Sequence, residues 1–337
     1  MLREYLKLSR LFNMGLTGVA PVFGALAMWD VGETSILRVL ILFIIGCLSH
    51  IYGFVLNDVI DIPVDKLSRD LKARPLVSGT ITRKKATYFA VLAMVFSWVF
   101  TLFFYEGFST FVMILSILIL ADFLSTIYNF ISKKYPGMDV FVTGAVFFLI
   151  IFGGATVSIE KLFTTPILWI VASIGSIQVL FMNMINGALK DIDHDAKGRA
   201  RTLAIRLGAK VRNKKLIIPR TFKIVGYSIE GVRTALIFLP FIILPGQFSF
   251  LGWQIVLLVT LAALTFYSIH KLFSIDQFVR KRVRKMIGII VILMYASTPV
   301  MLYSLHPYII FIALVPPLWF LASNTILHSS ALEPKTM

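Results

Sequence analysis

Long apolar runs recur along this chain, broken by short polar connectors. Windows of about 20 apolar residues, the length that spans a hydrocarbon core of ~30 Å, fall near 11-29, 36-56, 86-105, 108-130, 138-158, 165-187, 250-270 and 285-304. A shorter run near 231-245 and a final one near 306-325 complete the pattern. Pro240 and Pro245 weaken the first of these two, and Pro316 and Pro317 interrupt the second, because a proline removes a helical donor and clashes with the preceding turn. The pattern therefore predicts an all-α polytopic membrane helix bundle of nine or ten transmembrane helices. The first run follows a basic decapeptide, lacks a small-residue cleavage site and reads as an anchor.

Composition agrees with the pattern: 58% of the 337 residues are hydrophobic and the mean hydropathy is +0.86, which excludes an ordinary soluble domain. Charge then orients the chain. Placing residues 1-10, 57-85, 131-137, 188-233, 271-285 and the tail on one side collects 31 of the 33 Lys and Arg residues, leaving Arg38 and Lys161 opposite. By the positive-inside rule that side is cytoplasmic. Topology and attraction to anionic lipid headgroups account for most of the net charge of +16, so no nucleic acid partner is expected. The single cysteine, Cys47, lies inside a span and can form no intramolecular disulfide.

Against this basic background acid is scarce, and its placement is informative. Six of the 17 acidic residues lie in two short clusters, Asn57-Asp58-Val-Ile-Asp61-Ile-Pro-Val-Asp65 and Asp191-Ile-Asp193-His-Asp195, each at the cytoplasmic mouth of a span. A carboxylate near hydrocarbon is costly unless it pairs with a cation or coordinates a metal. Asn57, Asp61 and Asp65 recur at steps of four, and Asp58 joins the same helix face at steps of three and four. Pro63 is expected to kink or end that helix. Asn183, Gly187, Asp191 and Asp195 also recur at steps of four, a polar stripe in which Gly187 leaves room for a ligand; Asp193 points away from it. Oxygen-only donor sets suit magnesium or manganese, which keep substrate phosphates as ligands. Lys66, Arg69, Lys72 and Arg74 follow the first cluster, and Lys190, Lys197, Arg199 and Arg201 surround the second, where cations would neutralise a departing diphosphate. In the fourth span Asp122, Thr126 and Asn129 form another polar stripe, open either to ligand binding or to helix-to-helix hydrogen bonds.

These motifs carry a resemblance. The run N-D-x-x-D-x-x-x-D from Asn57, followed by Arg74-Pro75-Leu76-Val77-Ser78-Gly79, and the run Lys190-Asp191-x-x-x-Asp195 leading into Arg201-Thr202-Leu203-Ala204, resemble the UbiA superfamily of intramembrane prenyltransferases. Ser9, Arg10 and Asn13 with Pro21 and Gly24 in the first span, and Tyr128-Asn129 with Lys133-Lys134 after the fourth, extend the likeness. The resemblance implies one domain over 1-337, with helices around a central cavity and cytoplasmic caps from the connectors near 57-85 and 188-230. It implies magnesium-dependent transfer of a prenyl group from an isoprenyl diphosphate to an aromatic or lipid acceptor in the cell membrane.

The implied metal ligands are Asn57, Asp58, Asp61, Asp65, Asp191 and Asp195, with Asp61 and Asp191 central to catalysis. Asn13, Arg74, Asn129, Lys133, Asn183, Lys190 and Arg199 are the implied substrate-binding residues, and Tyr128 would offer an aromatic face to an allylic cation. The long basic stretch from Ala209 to Tyr227 departs from the family pattern. A secondary transporter of an anionic substrate is the competing class, but its ionisable groups would gather at the membrane midplane rather than at one mouth.

Overall fold

The computed structural model describes residues 1–328 except 33, 68–70, 247 and 250, with the backbone but not the side chain for His194 and His328. It is almost entirely helical. Among the described residues eight helices are long and apolar enough to cross a membrane, and two shorter apolar stretches, Leu11–Ala27 and Asp139–Ala155, accompany them. Large apolar side chains stand on the outside of these helices, among them Phe96, Phe103, Phe108 and Phe123, as expected where lipid replaces water. The chain is a multi-pass membrane protein.

The helices fall into two compact units. The first comprises Met1–Phe130, Gly144–Ala172 and the chain from Leu314 onward. It holds α1 (Leu2–Leu8), α2 (Leu11–Thr17), α3 (Ala20–Ala27), α4 (Ile36–Asp65), α5 (Arg83–Phe100) and nearly all of α6 (Phe108–Ile131). Most of α7 (Asp139–Ala155), the start of α8 (Pro166–Phe181) and, at the far end of the chain, a last helix, Val315–His328, complete it. The first predicted span is divided into α2 and α3 because Pro21, in the first turn of α3, has no N–H with which to continue the ladder. Ser35 and Thr82 cap α4 and α5 by accepting the Arg38 and Lys85 backbone N–H groups.

Close backbone approach replaces large side chains where α3 crosses α7. A Cβ on Gly24 would lie 1.8 Å from the Ile150 carbonyl oxygen, and one on Gly153 would lie 1.8 Å from that of Pro21. Only glycine fits either position, the small-residue contact by which membrane helices gain packing without a hydrophobic driving force. Beneath the connector after α4, Leu8, Val55, Val59, Leu76, Ile81 and Ala86 form one apolar cluster. That cluster anchors the connector to α4 and so fixes where Arg74 stands.

The second unit comprises Ile131–Thr143 and Ser173–Ala313. The end of α8 passes into a π-helical turn, Met182–Gly187, and then α9 (Ala188–Lys197) and α10 (Leu203–Arg206). A hairpin of β1 (Lys210–Arg212) and β2 (Lys215–Ile217) leads into α11 (Arg220–Ile243), α12 (Gly252–Phe273) and α13 (Arg280–Leu302); the Val315–His328 helix of the first unit is α14. Phe181, Ile185, Leu189 and Ile192 pack with Phe222, Ile269, Leu272, Val283 and Met294 in a single core. The Gln254 side-chain amide donates to the Val300 and Met301 carbonyls at 2.8 and 3.2 Å, joining α12 to the end of α13.

One expectation needs correction. The run near 231-245 is the last half of a span that begins at Arg220, so the connector expected over 188-230 ends before α11. Arg220, Lys223, Glu230 and Arg233 had broken the apolar pattern. Glu230 and Arg233 lie one turn apart and pair through two hydrogen bonds of 2.7 and 2.9 Å, both fully buried, and Arg233 also donates to Ser297 Oγ and the Met294 carbonyl. The pair satisfies itself within the protein, which is what a charged group in hydrocarbon requires. Arg233 is therefore no cytoplasmic surface cation. In the sixth span Met182–Gly187 winds as a π turn, which accommodates an extra residue, and the Asn183 Nδ2 donates to the Val179 carbonyl at 3.2 Å. A Cβ on Gly187 would stand 3.3 Å from the Met182 carbonyl oxygen, a tight approach that glycine avoids.

Candidate active site

The first acidic cluster closes α4. Asn57, Asp58, Asp61 and Asp65 occupy its last three turns, and the helix ends at Asp65, two residues after Pro63. Asp58, Asp61 and Asp65 are buried, at 5%, 9% and 5% relative exposure, while Asn57 is half-buried. Burial at the end of an apolar helix demands cationic partners, and two arginines supply them. Arg74 Nη1 lies 2.6 Å from Asp65 Oδ2 and 3.3 Å from Asp58 Oδ1. Arg10 donates to the same Asp58 oxygen from the turn between α1 and α2, where its own backbone is left-handed (φ 48°), and its guanidinium lies 4.9 Å from the centre of the Phe54 ring.

Arg74 thus stands where the sequence placed it, on the carboxylates. Arg10 belongs to the amino-terminal part of the family likeness, but the sequence assigns it no partner. Asn13, one turn further along α2, is half-buried. Lys66 and Lys72 are exposed, and Arg69 lies outside the described residues.

The polar stripe of α6 is spent on helix packing. Trp98 Nε1 donates to Asp122 Oδ2 at 2.8 Å, the Thr126 hydroxyl bonds to Tyr52, and Asn129 Nδ2 donates to the Gly53 carbonyl at 3.1 Å. Of the two readings open for Asp122 and Asn129, these contacts are helix-to-helix bonds. Tyr128, on the neighbouring position of α6, is half-buried.

The second cluster is built differently. Asp195 is buried at 5% exposure and stands one turn after Asp191 on α9, whose side chain is 32% exposed. Lysines approach Asp195 and Asp191 at longer range: Lys133 Nζ lies 3.8 Å from Asp195 Oδ1, and Lys190 Nζ lies 3.5 Å from Asp191 Oδ2. The Lys133 carbonyl accepts the Arg201 N–H at 2.9 Å, which fastens the connector after α6 to the turn after α9. Asp193 pairs with Arg280 at the start of α13, and Arg280 Nε also donates to the Lys190 carbonyl at 3.3 Å. In the sequence Arg280 is one cation of the basic connector 271-285, with nothing beside it to mark Asp193 as its partner. Arg199 adopts a left-handed φ of 56°, reverses the chain after α9 and leaves its side chain exposed.

Among the described residues no three His, Cys, Asp or Glu side chains converge on a single metal position. A magnesium site does not require three, since that ion commonly takes one or two carboxylates and completes its shell with water and phosphate oxygens. Aspartates one turn apart, with cations close by and no soft donor in either cluster, fit that ion.

Comparison with known proteins gives the same reading of the family. A model of the UbiA prenyltransferase family matches residues 18–286. The digeranylgeranylglyceryl phosphate synthase of Pyrococcus horikoshii is 27% identical over 218 residues, which is 62% of this chain and 70% of that protein. A protoheme IX farnesyltransferase of Saccharolobus islandicus is 34% identical over 85 residues, 25% of this chain and 30% of its own. In fold, the chain is similar to a UbiA homolog from Archaeoglobus fulgidus bound to GPP and Mg2+, with a TM-score of 0.62 at 15% identity, covering 89% of this chain and 99% of that one. With two aspartate motifs at the ends of membrane helices and a family match over most of its length, this chain belongs to the UbiA prenyltransferase family.

Proposed function

We propose that the chain transfers a prenyl group from an isoprenyl diphosphate to a hydrophobic lipid acceptor, releasing diphosphate, at the cytoplasmic face of the cell membrane. The observation that carries this reading is the pair of carboxylate clusters, each closing a membrane helix and each held by cations. The long match to a digeranylgeranylglyceryl phosphate synthase favours a prenylglyceryl phosphate acceptor over an aromatic one. The distribution of basic residues favours the cytoplasmic face.

The proposed metal-holding residues are Asn57, Asp58, Asp61 and Asp65 in the first cluster and Asp191 and Asp195 in the second. A magnesium ion bound there supplies Lewis-acid stabilisation of the leaving diphosphate oxygens, and manganese has the same geometry to offer. Arg74 and Arg10, already fixed by carboxylates, and Lys133 and Lys190, held more loosely, present cations to the diphosphate. Arg199 and Asn13 contribute further polar contact to the head group in this scheme. Tyr128 turns an aromatic face toward the allylic cation as the carbon–oxygen bond breaks. The connectors that follow the two carboxylate clusters serve as caps in this scheme and exclude the water that would otherwise capture that cation.

The test is direct: purified protein, magnesium, a labelled prenyl diphosphate, and a panel of prenylglyceryl phosphate, hydroxybenzoate and haem, with products identified by mass spectrometry. A prenylated glyceryl phosphate with stoichiometric diphosphate release is the expected product. Uptake of the diphosphate into vesicles without bond cleavage would overturn the enzyme reading in favour of transport.

A further inference from the structure

The β-hairpin before α11 has features that its fold does not require. Val211 and Leu216 face each other across the two strands and turn inward, with Leu216 7% exposed and Val211 packed on the core of the second unit. The alternate positions Lys210, Arg212, Lys215 and Ile217 share the outer face, and all four are exposed. In this register Arg212 stands directly opposite Lys215, a like-charge pair that opposes strand pairing. The two-residue turn between them is Asn213-Lys214, with φ of 51° and 61°; at its second position, where a glycine would adopt this conformation without strain, the chain has another lysine. No ion pair among the described residues holds any of the four hairpin cations.

Connectivity sets the height of this surface. β2 ends at Ile217 and the membrane-spanning α11 begins at Arg220, so the hairpin cannot leave the mouth of that span by more than about 10 Å. A third segment pins it from the other side. Leu216 N–H donates to the Asp276 carbonyl at 2.7 Å and Phe278 N–H to the Lys214 carbonyl at 2.8 Å, and residues 274–279 join the ends of the spans α12 and α13. Asp276 is the single acid on that segment, against Arg280, Lys281 and Arg282 immediately beyond it.

We propose that the outer face of this hairpin docks on the anionic headgroups of the bilayer that holds the protein, with Lys210, Arg212, Lys214 and Lys215 meeting phosphates and Ile217 entering the interface between them. Juxtamembrane cations each gain by lying close to an anionic surface. An anionic surface also relieves the repulsion between Arg212 and Lys215, which the free hairpin must carry. Charge complementarity and height together select the membrane over a soluble partner.

The experiment replaces Cys47 with Ala and Ile217 with Cys, attaches a nitroxide at 217, and reconstitutes the full chain into vesicles of phosphatidylcholine alone or of equal parts phosphatidylcholine and phosphatidylglycerol. Collision of the nitroxide with a water-soluble nickel reagent should fall severalfold in the anionic vesicles and recover in high salt, where screening shortens to ~3 Å at 1 M. The combined variant Lys210→Gln, Arg212→Gln, Lys214→Asn and Lys215→Gln should lose the difference between vesicles. Equal accessibility in both vesicles overturns the proposal, as does protection that persists in high salt. Protection of the detergent-solubilised protein by inorganic phosphate alone would identify a small-anion site and also overturn it, and protection by RNA would do the same in favour of a nucleic acid surface. None of these readouts depends on prenyl transfer.

Discussion

The two carboxylate clusters use the same residue type in opposite ways. In the first, Asp58 and Asp65 are buried and locked by the forked guanidiniums of Arg10 and Arg74. In the second, Asp191 is one-third exposed, lysine ammoniums stand 3.5 Å from Asp191 and 3.8 Å from Asp195, and the arginine contact, from Arg280, falls on Asp193 between them. Arginine gives a planar, pre-organised bond and lysine a mobile point charge. The first cluster is thus part of what holds its helices together, whereas Asp191 and Asp195 of the second are expected to exchange their lysine partners as a ligand arrives. Removing a residue should therefore cost fold and chemistry together in the first cluster, and mainly chemistry in the second.

The largest expected effect falls on both clusters alike. Asp61→Ala and Asp191→Ala should each lower turnover by about 1000-fold or more, the scale of losing a metal-mediated electrostatic contact in a transition state. Product formation under saturating magnesium measures it, and near-normal activity in either variant would break the two-cluster reading. Next, Arg74→Ala leaves two buried carboxylates without their shared partner and should cost about 3 kcal/mol of stability. Thermal unfolding in detergent reports this, and an unchanged midpoint would remove the distinction between the clusters. Replacing magnesium by calcium, whose longer bonds position a diphosphate poorly, should lower activity by about tenfold or more at equal occupancy. The smallest effect sharpens the contrast from the other side: Lys190→Ala should alter stability by less than about 1 kcal/mol, as for a partly exposed ion pair, while raising the KM for the prenyl diphosphate. A large loss of stability there would make the second cluster structural too.

The bundle and both aspartate motifs were legible because their signals are local. An apolar run long enough to cross a bilayer, and a carboxylate repeated every helical turn, need no knowledge of partners. What failed was long-range or backbone-dependent. Arg10 meets Asp58 across 48 positions and Arg280 meets Asp193 across 87, and nothing near either arginine announces its partner. The π turn at Met182–Gly187 changes the helical phase without any proline to mark it, so the sequence alone gives no sign of it. Asn129 was legible as a polar residue in a membrane helix, but its bond to the Gly53 carbonyl depends on how closely α4 and α6 approach. The start of α11 was hidden by Glu230 and Arg233, whose charges cancel only once both are in a helix.

That cancellation also bears on how the protein is made. The α11 span has a mean hydropathy of 1.3, the lowest of the eight, and each unpaired charge at a helix centre costs about 3 kcal/mol during translocon-mediated insertion. An emerging segment 220–243 is therefore a poor candidate for lateral release into lipid by itself. Pairing Glu230 with Arg233 removes part of that penalty as soon as the helix winds, but the bonds to Met294 and Ser297 wait for a helix synthesised some sixty residues later. Insertion of the carboxy-terminal half is therefore expected to be cooperative, with α11 settling stably only once α13 is present to accept its arginine.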